Sequence, residues 1–237
     1  MEYTYKIING TKEEEKIIHG IISFILNEYP EKIDICKLKI IEVVDKLDND
    51  SSGRGIRNKI ILPRKYGLEK IQLEGSVSRD KLIDSKLNML VGTIYHELWH
   101  VSTWDKYKDM YEFVLDENSD DILAFAYMYW IEYVAHVETA SMEDTGVAKE
   151  FCKNFVRKKW HKIEYGYSYF IKALPYYLVR SNYLGMFDEL TKEIMCNELR
   201  TTVYEFDEKS KQLIENSNMQ EADKANIIKD MIEKLFE

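Results

Sequence analysis

Apolar residues recur at helical spacing in several stretches of this chain. Ile17, Ile18, Ile21, Ile22 and Ile25 fall on one face of a helix. The "TKEE" at 11–14 starts that helix as a capping box, in which Thr11 caps and Glu14 reaches back. A second helical pattern runs from about 80 to 104 through Ile83, Leu87, Leu90, Val91, Ile94, Leu98 and Val101. A third begins at "NSDD", with Asn118 as its cap, and continues as "ILAFAYMYWIEYVAHVETA". Being apolar almost all round, it predicts a helix buried inside the domain. After about residue 143 the pattern is mostly helical. Pro175 and Gly185 predict breaks, and "SNMQEADKANIIKDMIEKLF" closes the chain as an amphipathic helix.

Before the first helix, and again between the first two, the period shortens. Residues 3–8, 37–46 and 56–63 read as short strands, the last stopped by Pro63. "DNDSSGRG" reads as the turn that joins the second and third into a hairpin. Strands early and helices later predict an α+β fold. The expected division is a core over 1–143 and a helical C-terminal subdomain over 144–237.

Composition narrows the function. The net charge of the 237 residues is -9, which disfavours a nucleic-acid backbone as partner. The one basic run, "RKKWHK" at 157–162, reads as a solvated helix face. Cys36, Cys152 and Cys196 are odd in number and far apart, so a disulfide framework is not expected and a reducing cytosol is. No basic-then-apolar leader opens the sequence, and the longest apolar stretch is interrupted by Glu132 and His136, so no membrane association is expected.

The polar residues inside the second helix carry the chemistry. His96-Glu97-Leu98-Trp99-His100 is an HExxH motif. Positions i and i+4 share a helix face, so the two imidazoles can grip one metal ion. Glu97 is turned about 100° from His96 and can face a bound water without being a ligand. Zinc suits such a site, because it takes His and carboxylate ligands and leaves a position for water. The metal lowers the water's pKa and the glutamate takes its proton.

A catalytic zinc site needs a third protein ligand. The metzincin continuation is absent, since Thr103 and Lys106 stand where it requires Gly and His. Glu132, with His136 at i+4 in the same buried apolar helix, is the leading candidate, because a carboxylate there needs a cation or hydrogen bonds, and His136 is a rival. Glu143 and Glu138 are rivals with weaker placement.

An HExxH followed some 25–35 residues later by a helical Glu-x-x-Ala resembles the gluzincin group of zincin metallopeptidases. "EYVAH" supplies Glu132 and Ala135 of that pattern, with His136 where the group often has Asp. The resemblance implies a zincin-like core: a small sheet packed on the HExxH helix and on a second, glutamate-bearing helix. It implies His96, His100 and Glu132 as zinc ligands and Glu97 as general base. The short strands and "HELxH" form look most like the small cytosolic ImmA/IrrE-type peptidases, over about residues 35–143. The implied substrate is a protein or peptide, such as a regulatory protein. By the same resemblance, "RNKIILP" is the strand expected to bind substrate along its edge. The region after 143 carries no ligand spacing and is expected to serve partner selection more than zinc binding.

Weaker signals remain. "DNDSSGRGIRNK" imitates a calcium loop but ends on Lys59 where a glutamate is required, and reads as a turn. An oxyanion donor is sought among Tyr165, Tyr167, Tyr169, Tyr176, Tyr177 and His161, without a choice between them. The alternative to an enzyme is a non-catalytic, zinc-stabilised interaction module.

Overall fold

The capping box forms as patterned. The Glu14 backbone N–H donates to Thr11 Oγ1 at 3.2 Å, and the Thr11 N–H donates to Glu14 Oε2 at 2.7 Å. Helix α1 (Lys12–Glu28) follows, burying Ile17, Ile18, Ile21, Ile22 and Ile25. These elements belong to a computed structural model that describes residues 4–47, 53–64, 68, 71, 75–83, 85–116, 121–142, 145–158, 160 and 166–236. The fold is α+β. The chain divides into two compact units, Met1–Lys106 with Ser141–Val147, and Tyr107–Ala140 with Ala148–Glu237. The boundary expected at 143–144 lies outside the described residues.

The first unit holds strands β1 (Lys6–Ile8), β2 (Ile40–Val44), β3 (Arg54–Ile56) and β4 (Lys59–Pro63), and helix α2 (Ser85–Thr103). The expected hairpin between 37–46 and 56–63 does not form. β2 pairs with β4 in parallel, with Ile41 opposite Ile60 and Val43 opposite Leu62, all four buried. The hairpin partner of β4 is β3, which pairs antiparallel across the two-residue turn Arg57–Asn58. β3 therefore occupies the end of the segment read as a turn, whose residues 48–52 lie outside the described ones.

The sheet order is β1-β2-β4-β3. This corrects a second expectation: "RNKIILP" is not an edge, because β4 is paired on both sides, and the edge strands are β1 and β3. Alternation marks a strand and its buried face but does not name its neighbour. Helix α2 packs against α1, β3 and β4. It starts later than patterned, after a 3-10 turn at Arg79–Ile83.

The second unit is helical: α3 (Lys108–Leu115), α4 (Ile122–Thr139), α5 (Thr145–Arg157, whose first turn belongs to the other unit), α6 (Gly166–Tyr183), α7 (Phe187–Lys192), α8 (Asn197–Glu215) and α9 (Glu221–Phe236). α4 packs against α3, α6 and α9, the central place its apolar circumference predicts. Its cap is Asp121, whose side chain accepts from the Leu123 N–H at 3.2 Å; the expected cap Asn118 lies outside the described residues. Polar atoms of α4 meet partners inside this unit. Trp130 Nε1 donates to Glu221 Oε2 at 2.7 Å, and Tyr129 shares a 2.8 Å hydrogen bond with Ser210. Arg180 on α6, itself buried, donates to the Ala140 carbonyl at 2.7 Å just past the end of α4.

Pro175 does not break α6, which runs through it. Proline costs the helix one backbone bond, and here burial of Ile171, Leu174, Tyr177 and Leu178 outweighs that loss. Gly185 does end the helix. It sits at φ 66°, and the Gly185 and Met186 N–H groups donate to the Asn182 and Ser181 carbonyls, a Schellman closure. Among the described residues no helix is long and apolar enough to cross a membrane.

Candidate metal centre

Helix α2 presents His96 and His100 one turn apart. Their Nε2 atoms lie 2.9 Å from each other, with ring planes 78° apart. Each ring thus aims the same nitrogen at a common point. Two nitrogens that each bind zinc at about 2.0–2.1 Å can be no more than about 4.2 Å apart, so this pair suits a single ion. His100 is buried and His96 half-buried. The Trp99 ring stands edge-on to His100, with centroids 5.4 Å apart.

The helix that carries the pair is fixed at several points. Tyr95, immediately before the motif, stacks on Tyr29 at the end of α1 with centroids 5.0 Å apart. Just past the motif, Ser102 Oγ accepts from the Asp34 N–H at 3.0 Å, and its carbonyl accepts from Lys37 Nζ at 3.0 Å. Lys37 also pairs with Asp105 at 2.9 Å. The Lys37 bond occupies a carbonyl in the helix's last turn that would otherwise lack an intrahelical partner.

Glu97 is 6% exposed. Beside it runs β3, close enough that Gly53 and Gly55 lie directly against its side chain and backbone. The sequence marked these glycines only as part of a turn. Nothing in local patterning reveals that a strand built from the distant segment 54–56 crosses the motif.

In the second unit, Glu132 lies on α4 with its carboxylate 3.8 Å from His136 Nε2. Their side chains are 36% and 13% exposed, so Glu132 is less deeply placed than its apolar surroundings predict. His136 meets the edge of Tyr176 on α6, with centroids 5.0 Å apart. Tyr176 in turn lies 5.4 Å from the Arg180 guanidinium and 4.4 Å from the Phe151 ring centroid. Glu138 is half-buried two turns along; Glu143 lies outside the described residues.

Of the tyrosines considered as oxyanion donors, Tyr177 is a core residue. Its hydroxyl bonds Thr191 Oγ1 at 2.8 Å, its ring stacks on Phe155, and burial pushes its phenol far above the usual tyrosine range. Tyr169 is exposed and Tyr176 packs on His136 as above. Tyr165 and His161 lie outside the described residues, as does the side chain of Tyr167. Within the basic run, Trp160 is buried and donates to the Phe155 carbonyl at 2.9 Å, so that part of the segment is packed and not a solvated face.

Comparison with known protein families, curated proteins and solved structures returns no match.

Proposed function

We propose that this chain is a cytosolic zinc metallopeptidase of the gluzincin type, acting on a protein or peptide substrate. The carrying observation is the His96–His100 pair, with Nε2 atoms 2.9 Å apart on one helix face and Glu97 buried between them in sequence. His96, His100 and Glu132 would hold the ion. Together they offer two imidazole nitrogens and one carboxylate oxygen, a donor set that can hold a metal and one that zinc accepts. When bound, zinc lowers the pKa of water and polarises a carbonyl as a Lewis acid.

The remaining chemistry falls to Glu97. As general base it takes a proton from the attacking water, then as general acid hands it to the leaving amine. β3 supports the peptide part of the reading. It is one of the sheet's two edge strands and passes beside Glu97, so an extended backbone added to that edge would run past the motif.

The test is cleavage of an unbiased peptide library by the natural chain and by Glu97→Gln. Gln keeps the shape but cannot accept the proton. The variant should retain metal and fold while losing about 10²–10⁴-fold in rate. Equal rates would exclude Glu97 as the base. If neither protein cleaves while both bind metal, the interaction-module reading takes over.

A further inference from the structure

The sharpest steric constraint in the first unit lies where β3 crosses α2. A methyl group at Gly55 would sit 2.6 Å from the Glu97 carbonyl oxygen, 3.1 Å from His100 Cβ and 3.2 Å from Glu97 Oε2. One at Gly53 would sit 2.9 Å from Glu97 Cγ, 2.9 Å from Thr93 Cγ2 and 3.0 Å from Glu97 Oε1. Contacts below about 3 Å between carbon and these atoms lie well inside the optimum near 3.5–4.0 Å. Neither glycine has a positive φ, so the backbone conformation does not demand glycine at either position. Close approach does. Residues i and i+2 of an extended chain face the same way, and here both face the helix at Glu97.

We infer that Gly53 and Gly55 are positioning residues of the proposed site: their missing side chains let the edge strand lie flat on α2 and hold the Glu97 carboxylate in one place. The inference rests on the metallopeptidase reading for what Glu97 does, and on the strand–helix contact alone for where Glu97 sits. A glutamate side chain has three torsions and would otherwise wander. A general base works only when held within hydrogen-bond reach of its proton, and misplacement by about 1 Å can cost about 10²-fold. The strand backbone fills the space through which the carboxylate would swing.

The two positions differ in what a methyl group would strike. At Gly55 the nearest atom is backbone, which side-chain rotation cannot relieve, so Gly55→Ala must lift the strand. At Gly53 every close atom belongs to a side chain, so Gly53→Ala is relieved by displacing the Glu97 and Thr93 side chains while the strand stays.

A double-mutant cycle on thermal unfolding separates these outcomes without any substrate. Gly55→Ala should lower the unfolding temperature by roughly 3–10 °C, both in the natural chain and in a Glu97→Ala background. Gly53→Ala should cost less, and the part of its cost that comes from Glu97 should vanish with Glu97→Ala, leaving the Thr93 contact. On any library peptide that the natural chain cleaves, Gly53→Ala should lower kcat at least tenfold with KM within about twofold. An identical loss for Gly53→Ala with and without the Glu97 side chain would overturn the inference, as would a Gly55→Ala chain as stable as the original. If Gly55→Ala does not fold, the Gly53 cycle still decides. If no peptide is cleaved, the peptidase reading fails while the cycle still reports on the strand.

Discussion

At Glu14, burial and ion pairing act in opposite directions. Burial pushes its carboxyl up, but hydrogen bonds from Arg64 and from the Thr11 N–H, with the charge of Arg64, outweigh that and hold it below its ordinary value of 4.5. Arg64 Nε donates to Glu14 Oε1 at 2.8 Å and Arg64 Nη1 to Asp45 Oδ1 at 2.8 Å, tying the start of α1 to the ends of β2 and β4. A carboxyl whose folded pKa is depressed adds stability that is present above its unfolded pKa and fades as pH falls through the folded one. The natural chain should therefore exceed Glu14→Gln in unfolding midpoint most clearly at neutral pH, and the gap should close as pH drops below about 4.5. A gap unchanged down to pH 2 would deny the ion pair this role. Glu132 offers a second test. If it is the third ligand, Glu132→Ala should weaken zinc binding by more than the 10–100-fold typical of outer partners, while Glu138→Ala changes little in a metal titration. At this scale the histidine pair was legible, because i, i+4 spacing needs only the helix to be correct. Gly53 and Gly55 were not, because their meaning depends on which helix the strand meets.

Elements were legible in proportion to their length. α1 and α9 follow their apolar periods, as does α2 apart from its later start, since a long amphipathic stripe has few alternative placements, and α4 follows from its apolar circumference. The strands are legible but their pairing is not, because five-residue strands with two or three buried positions fit more than one partner. A long connection brings β2 beside β4 in parallel, and the short Arg57–Asn58 turn makes β3 the hairpin partner. That turn carries a cost that sequence alone did not expose. Arg57 sits at φ 54°, a conformation that disfavours a side chain with a Cβ by roughly 1–2 kcal/mol. Arg57→Asn should raise the unfolding temperature by about 1–3 °C, because Asn tolerates this region, whereas Arg57→Val should lower it. Pro175 was misread for the converse reason: the buried packing of α6 overrides a local signal.

For the whole molecule, the division into units bears on what the C-terminal helices support. α4, with Glu132, belongs with the helices after residue 148 and packs on α6 and α9. Trp130 is anchored by Glu221 at the start of α9, and Ala225, Ile228 and Ile232 of α9 are fully buried. The sequence suggested a metal-binding core separable from a partner-selecting tail, since the tail carries no ligands. In the structure α4 packs on α6 and α9 of that region. Removing residues 217–237 should therefore loosen α4, lowering its helicity and raising amide exchange along it, and should weaken metal binding although no ligand is deleted. Unchanged exchange across α4 would show that α9 is dispensable. The central claim is that His96, His100 and Glu132 form one metal centre, and elemental analysis tests it most directly. The purified natural chain should carry about one zinc per molecule, with little in His96→Ala or Glu132→Ala proteins that remain folded by circular dichroism. Equal metal in all three proteins would contradict the account.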